Sequence, residues 1–323
     1  LAVSPGFIDV HTHSRRGIFH VPTADNYVRQ GVTTVMEDPD GSSPLPIGRF
    51  LSRLDSLRPS VNIGSFAGQG SIRDAVMGAV DRAPTQSEMD SMKMLMGQAM
   101  EEGAMGLGTS LIYAPAFYAE TEELIELSKV VAKFDGMYIS HMRSEGNQLL
   151  EALEELITIA REANVKAQVY HLKAAGESNW PKMDQAIARI EEARAEGLPI
   201  TADMYTYVAG ATGLDAHMPP WVQEGGFGAW RERLMDPDIR ARVLEEMRTP
   251  TNEWENLGLA AGPEGIMVVG FRQDSLRYLT GRRLADIAAE RGMTPEDVAI
   301  DLVIHDSTRV GTVYFLMSEE NVK

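Results

Sequence analysis

V-S-P-G-F-I-D-V-H-T-H-S, residues Val3 to Ser14, is the stretch whose reading decides the fold. Pro5 and Gly6 break whatever precedes them, and Phe7, Ile8 and Val10 form a short apolar run of strand type. His11 and His13 close it two residues apart. Side chains alternate along a strand, so both imidazoles leave the backbone on one face. Two neutral imidazoles at a strand end can grip one metal ion. An isolated H-x-H is more often two half-buried structural histidines than a metal site, so the rest of the chain has to decide.

Outward from this strand the chain alternates. Strand-like runs are predicted at Phe7–His13, Thr33–Glu37, Val61–Ala67, Gly106–Tyr113, Met137–Met142, Lys166–Leu172 and Leu198–Tyr207. Helical patterns lie between several of them. Thr85 and Glu88 have capping-box spacing ahead of a helix running towards Glu102. Thr121 is placed to cap the next helix, with Leu124, Leu127, Val131 and Phe134 on its apolar face and Gly136 at its end. Leu149, Leu153, Leu156, Ile157 and Ala160 repeat with a period of about 3.6, and a further helix is predicted from Met183 to Glu196. Such alternation implies an α/β fold with a parallel sheet. Seven successive units with short links favour a (β/α)8 TIM barrel over an open sheet. Residues 1–323 read as one barrel domain.

From Ala209 to roughly Gly265 the rhythm breaks. Pro219-Pro220, Gly225-Gly226 and three tryptophans (Trp221, Trp230 and Trp254) surround a short charged helix near Asp236–Arg248. This stretch, about 209–265, reads as an inserted lid over the barrel mouth. A strand at Ile266–Phe271, helices at Leu284–Arg291 and Pro295–His305, and an extended run at Thr312–Met317 follow.

Hydrophobic residues make up 44% of the 323, enough for a sizeable core. A net charge of −17 argues against nucleic acid or an anionic membrane surface as a partner. The absence of cysteine excludes disulfides and thiolate ligands. It leaves the compartment open, with cytoplasmic preferred over periplasmic. No apolar run reaches the roughly 18 residues of a membrane-spanning helix. A small-molecule substrate is the expected partner, and a homo-oligomer is allowed.

In a barrel, functional groups come from the carboxyl ends of the strands. His11 and His13 end the first strand. Glu37, Asp38 and Asp40 follow the second, and Tyr113 follows the fourth. His141 ends the fifth in S-H-M-R-S-E, His171 the sixth in V-Y-H-L-K, and Asp203 and Tyr205 the seventh. Four histidines with a carboxylate cluster at one end of one sheet point to a metal centre. His20, His217 and His305 fall in loop, lid and helix and are read as structural.

At these residues the chain resembles the N-acyl-D-amino-acid deacylases (D-aminoacylases) of the amidohydrolase superfamily. The resemblance runs from P-G-F-I-D-V-H-T-H at Pro5 to M-S-E-E-N-V at Met317. G-V-T-T-V at Gly31, G-L-G-T-S-L-I-Y-A-P at Gly106, S-H-M-R-S-E-G at Ser140, V-Y-H-L-K-A-A-G at Val169, A-D-M-Y-T-Y-V-A-G at Ala202 and M-P-P-W-V at Met218 carry it. It implies a zinc barrel flanked by a small β domain, with one or two divalent ions. His141 and His171 would hold the tight ion with a ligand after the second strand, and His11 and His13 the partner site. The family's second-strand ligand is a cysteine. Here Asp40 matches it, with Glu37 as runner-up. Lys173 and Tyr205 match groups that bind the substrate α-carboxylate, and Tyr113 one near the scissile carbonyl. A family serine for the carboxylate is replaced by Ala211, beside Thr212. Arg143 and Glu145, next to His141, read either as support for the ligands or as a local surface pair.

The resemblance implies removal of the acyl group from N-acyl-D-amino acids by attack of a metal-bound hydroxide. The alternatives are a dipeptidase or a cyclic-amide (dihydroorotase- or hydantoinase-like) hydrolase on the same metal site, or a non-catalytic barrel remnant. The family's general-base aspartate sits on the eighth strand, after the S-E-E-N-V run. It is therefore expected beyond Lys323, together with a carboxylate-pairing arginine, the last barrel strand and most of the small β domain.

Overall fold

The computed structural model describes residues 3–323. Eleven strands run in chain order: β1 Phe7–Thr12, β2 Val32–Glu37, β3 Asn62–Ser65, β4 Ala67–Gly68, β5 Gly106–Ser110, β6 Met137–His141, β7 Lys166–Val169, β8 Ile200–Ala202, β9 Ala209–Gly213, β10 Ile266–Gly270 and β11 Gly311–Phe315. The first eight are parallel, in a three-stranded sheet β1-β2-β3 and a five-stranded sheet β4-β5-β6-β7-β8. Phe66 alone separates β3 from β4. Its N–H donates to Glu37 O at 3.0 Å, and Met105 N–H donates to Ser65 O at 2.9 Å, so hydrogen bonding continues across the break. Each parallel strand lies beside its predecessor, as α/β units with short links require. The predicted strands end several residues later than the observed ones, at Tyr113, Leu172 and Tyr207. Those residues are the loops leaving the sheet.

The helices cover this sheet for reasons visible in the chain. Thr85 and Glu88 complete a reciprocal capping box on Gln86–Glu101. Leu149–Ala163 buries its whole apolar stripe, Leu149, Leu153, Leu156, Ile157 and Ala160, in the core with Leu107, Leu124, Leu127 and Ala167. Each such leucine or isoleucine contributes roughly 1.5–3 kcal/mol. Thr121 is not a cap as expected. Glu120 precedes the helix Thr121–Ala132, and the Thr121 hydroxyl donates to Glu155 at 2.8 Å.

The 209–265 stretch, read as an inserted lid, packs into a second unit with the residues that follow it. Its first residues are β9, which pairs antiparallel with β11, and β10 pairs with the other edge of β11. Val222, Trp230, Leu234, Val243 and Met247 share one apolar core with Ile266, Leu284, Val298, Leu302 and Tyr314. The extended run at 312–317 therefore joins this antiparallel sheet, not the parallel one. Phe227, Trp230 and Leu257 still border the cleft described below.

Candidate metal centre

The ends of β1, β6, β7 and β8 open onto a cleft of about 1200 Å³. β1 and β8 stand at opposite ends of the strand order, yet His11 Nδ1 is 3.5 Å from Asp203 Oδ1, just beyond β8. The ends of β1 and β8 therefore come close at this point, and the histidines converge. Ring centroids are 4.4 Å apart for His141 and His171, 5.1 Å for His11 and His171, and 5.4 Å for His11 and His13.

His141, Glu145 and His171 are buried and offer one ligand atom each within 4.8 Å of one another. Glu145 is the residue that the sequence reading left undecided. Arg143 is not its partner; that guanidinium pairs with Glu155 at 2.9 Å and binds the carbonyls of Phe117 and Ala119. Glu145 instead faces both imidazoles. Oε1 is 2.8 Å from His171 Nδ1, and Oε2 is 3.4 Å from His141 Nε2, a buried nitrogen without a hydrogen-bond partner. Lys173 Nζ donates to the same Oε1 at 2.6 Å and lies 2.6 Å from His171 Nδ1. An ammonium at that point opposes a second cation between the three groups. Glu145 thus abuts one nitrogen of each ring and would leave the opposite nitrogen, in a neutral imidazole, for an ion. Burial favours that neutral state, pushing both histidines well below their ordinary pKa. Burial also lowers the pKa of Lys173. The donor set suits a borderline divalent ion.

His171 has φ +42, a left-handed backbone that non-glycine residues seldom adopt. Asp203 holds it there, accepting the His171 N–H at 2.7 Å while Gln168 donates to its other oxygen at 2.5 Å. Burial opposes ionisation of Asp203. The hydrogen bonds from His11, the His171 N–H and Gln168 outweigh it and keep the carboxyl below the usual range.

The two second-strand carboxylates separate. Glu37 is buried and does not reach the cleft. It ties down the end of β1, accepting from Thr12 Oγ1 at 2.5 Å, Arg15 N at 2.9 Å and Ser14 N at 3.1 Å. Asp40 lines the cleft, 3.7 Å from His13 Nδ1, and stands outside the close His141–Glu145–His171 group. Tyr113, Lys173 and Tyr205 all line the cleft. Tyr113 packs 5.5 Å from the His141 ring, and Tyr205 lies under the Lys173 ammonium at 5.3 Å. Burial raises the pKa of both phenols. Tyr170 stacks on His11 with centroids 3.7 Å apart, a contact with no sequence signal. His217 is buried in the second core, where burial brings its pKa to about 4. His20 and His305 stay outside the cleft.

No family model matches the chain. It is 31% identical to the D-aminoacylase of Alcaligenes xylosoxydans xylosoxydans over 346 aligned residues, covering all of this chain and 61% of that relative. The structure superposes on a D-aminoacylase described as having a binuclear metal centre with a TM-score of 0.75 at 30% identity, covering 98% of this chain and 62% of that one. It belongs to the D-aminoacylase family of amidohydrolases. The N-acyl-D-glutamate deacylase of Bordetella bronchiseptica, solved with zinc and a phosphonate inhibitor that mimics the tetrahedral intermediate, gives a TM-score of 0.79 at 27% identity and 98% and 62% coverage. The chain thus spans less than two thirds of these D-aminoacylase-family proteins.

Proposed function

We propose that this chain is the catalytic barrel domain of a zinc-dependent deacylase of N-acyl-D-amino acids. The buried His141–Glu145–His171 cluster at the strand ends, in a chain 31% identical to D-aminoacylase, carries the reading. The parallel strands are read as seven positions of a (β/α)8 barrel. Their order and the approach of β1 to β8 support this. The 209–265 stretch is read as the barrel's cover, since Phe227, Trp230 and Leu257 border the cleft.

His141 and His171 would hold the ion, with Asp40, His11 and His13 on the same cleft as further ligands. When bound, the ion supplies Lewis acidity for the amide carbonyl and lowers the pKa of water. Glu145 would orient both rings from behind. Lys173 and Tyr205 would bind the substrate's α-carboxylate and so position the amide. Lys173 rests on Glu145, so carboxylate binding would draw on an ammonium already desolvated. Tyr113 keeps its proton at neutral pH and packs beside His141, with its hydroxyl on Thr212.

The test is hydrolysis of a panel of N-acetyl-D- and N-acetyl-L-amino acids by the zinc-loaded full-length protein. Turnover of D-substrates that chelation removes and zinc restores is the expected result. Turnover of the L-series alone, or of neither, overturns the reading.

A further inference from the structure

The cleft holds a second fixed cation, reached from His141 and not from His171. Arg309 precedes β11, and its guanidinium lies 4.7 Å over the Tyr113 ring, whose other neighbour is His141. Its Nη2 is 3.3 Å from Thr212 Oγ1, and Thr212 in turn bonds the Tyr113 hydroxyl at 2.6 Å. Its Nε donates to Asp215 Oδ2 at 2.7 Å.

The structural alternative is that Arg309 merely neutralises Asp215. Asp215 is 2% exposed, so it does require a partner. A neutralising pair would use the two-pronged geometry that guanidinium and carboxylate favour. Here the contact has one prong, and the buried Asp215 Oδ1 has no hydrogen-bond partner. The Nη side of the fork is turned away from Asp215, and the side chain is 49% exposed along the cleft wall. Arginine has five N–H donors, and Asp215 takes one. The backbone behind it is also strained: Val310, a β-branched residue, has φ +56. A guanidinium anchored on three sides and open to a substrate cleft is a preformed carboxylate receptor.

We propose that Arg309, with Thr212, binds a second carboxylate of the substrate, remote from the scissile amide, and so selects doubly anionic N-acyl amino acids. This rests on the deacylase reading and narrows its substrate class. The second carboxylate could arrive on the amino-acid side chain or on the acyl group, and the two sources are separable.

The experiment compares kcat/KM of the zinc-loaded full-length protein on two matched pairs: N-acetyl-D-glutamate against N-acetyl-D-glutamine, and N-succinyl-D-leucine against N-acetyl-D-leucine. The acidic member of one pair is expected to win by about 10- to 100-fold, the size of one charge-assisted contact. The pair that shows the preference names the source. Arg309→Gln should collapse that ratio towards unity, and Arg309→Lys, which keeps the charge without the fork, should retain part of it. The ratio within one preparation is independent of how much protein folds. Hydrolysis with no acidic preference in either pair, or a preference that survives Arg309→Gln, overturns this inference alone. No hydrolysis of any of the four overturns the deacylase reading and this inference with it.

Discussion

The His141–His171 pair and the His11–His13 pair use the same side chain at the ends of parallel strands, and they differ most at His13, with His11, 22% exposed and 3.5 Å from Asp203, in between. The first pair is 9% exposed on each ring, and both rings face Glu145. In the second, His13 is 61% exposed and its carboxylate neighbour, Asp40, is 36% exposed at 3.7 Å. A ring already fixed by packing and by a buried carboxylate against it loses little freedom when it takes an ion. A half-free ring must lose that freedom on binding. On this comparison, affinity is expected to follow the group behind each ring rather than ligand identity or strand position.

The strongest way to break this contrast is to remove a buried ring. His171→Asn keeps a residue that tolerates the left-handed backbone and should weaken retention of the tight ion by more than about 100-fold, beyond the loss of an orienting partner. Metal content after dialysis against a graded chelator reads this directly. Stoichiometric zinc in that variant would place the ion elsewhere. Glu145→Gln leaves both imidazoles in place and should cost about 10- to 100-fold in affinity. An unchanged affinity would mean that burial alone positions the rings.

Those two residues also show where sequence reading stops. His171 was legible because a histidine at the end of a strand-like run, repeated on other strands, has few structural explanations. Glu145 sits four residues after His141 in the same motif, but a loop carboxylate on an acidic chain carries no mark of burial. Glu37 and Asp40 show the same limit. Both follow β2, and only the fold reveals that one is consumed by Thr12, Ser14 and Arg15 while the other faces the cleft. The α/β rhythm and the capping box at Thr85 were readable because they are local. A-G-A-T-G at 209–213 was not, because it is a strand only through its pairing with β11.

Asp40→Cys sharpens the contrast from the exposed side. A thiolate at this position should tighten a soft ion, and cobalt substitution should produce a thiolate charge-transfer band. Tight cobalt binding without the band would remove Asp40 from the ligand set. The smallest effect is expected for His13→Asn: affinity for the first equivalent of zinc should stay within about twofold, as for an ordinary surface change. A large loss there would make the two pairs one site.

The left-handed backbone at His171 has a consequence for anyone engineering this chain. A conformation that glycine or asparagine adopts with less strain is held by a histidine, at a cost of about 1–2 kcal/mol. A selection that does not demand turnover is free to exchange His171 for either residue, and its survivors would keep the fold with the centre erased.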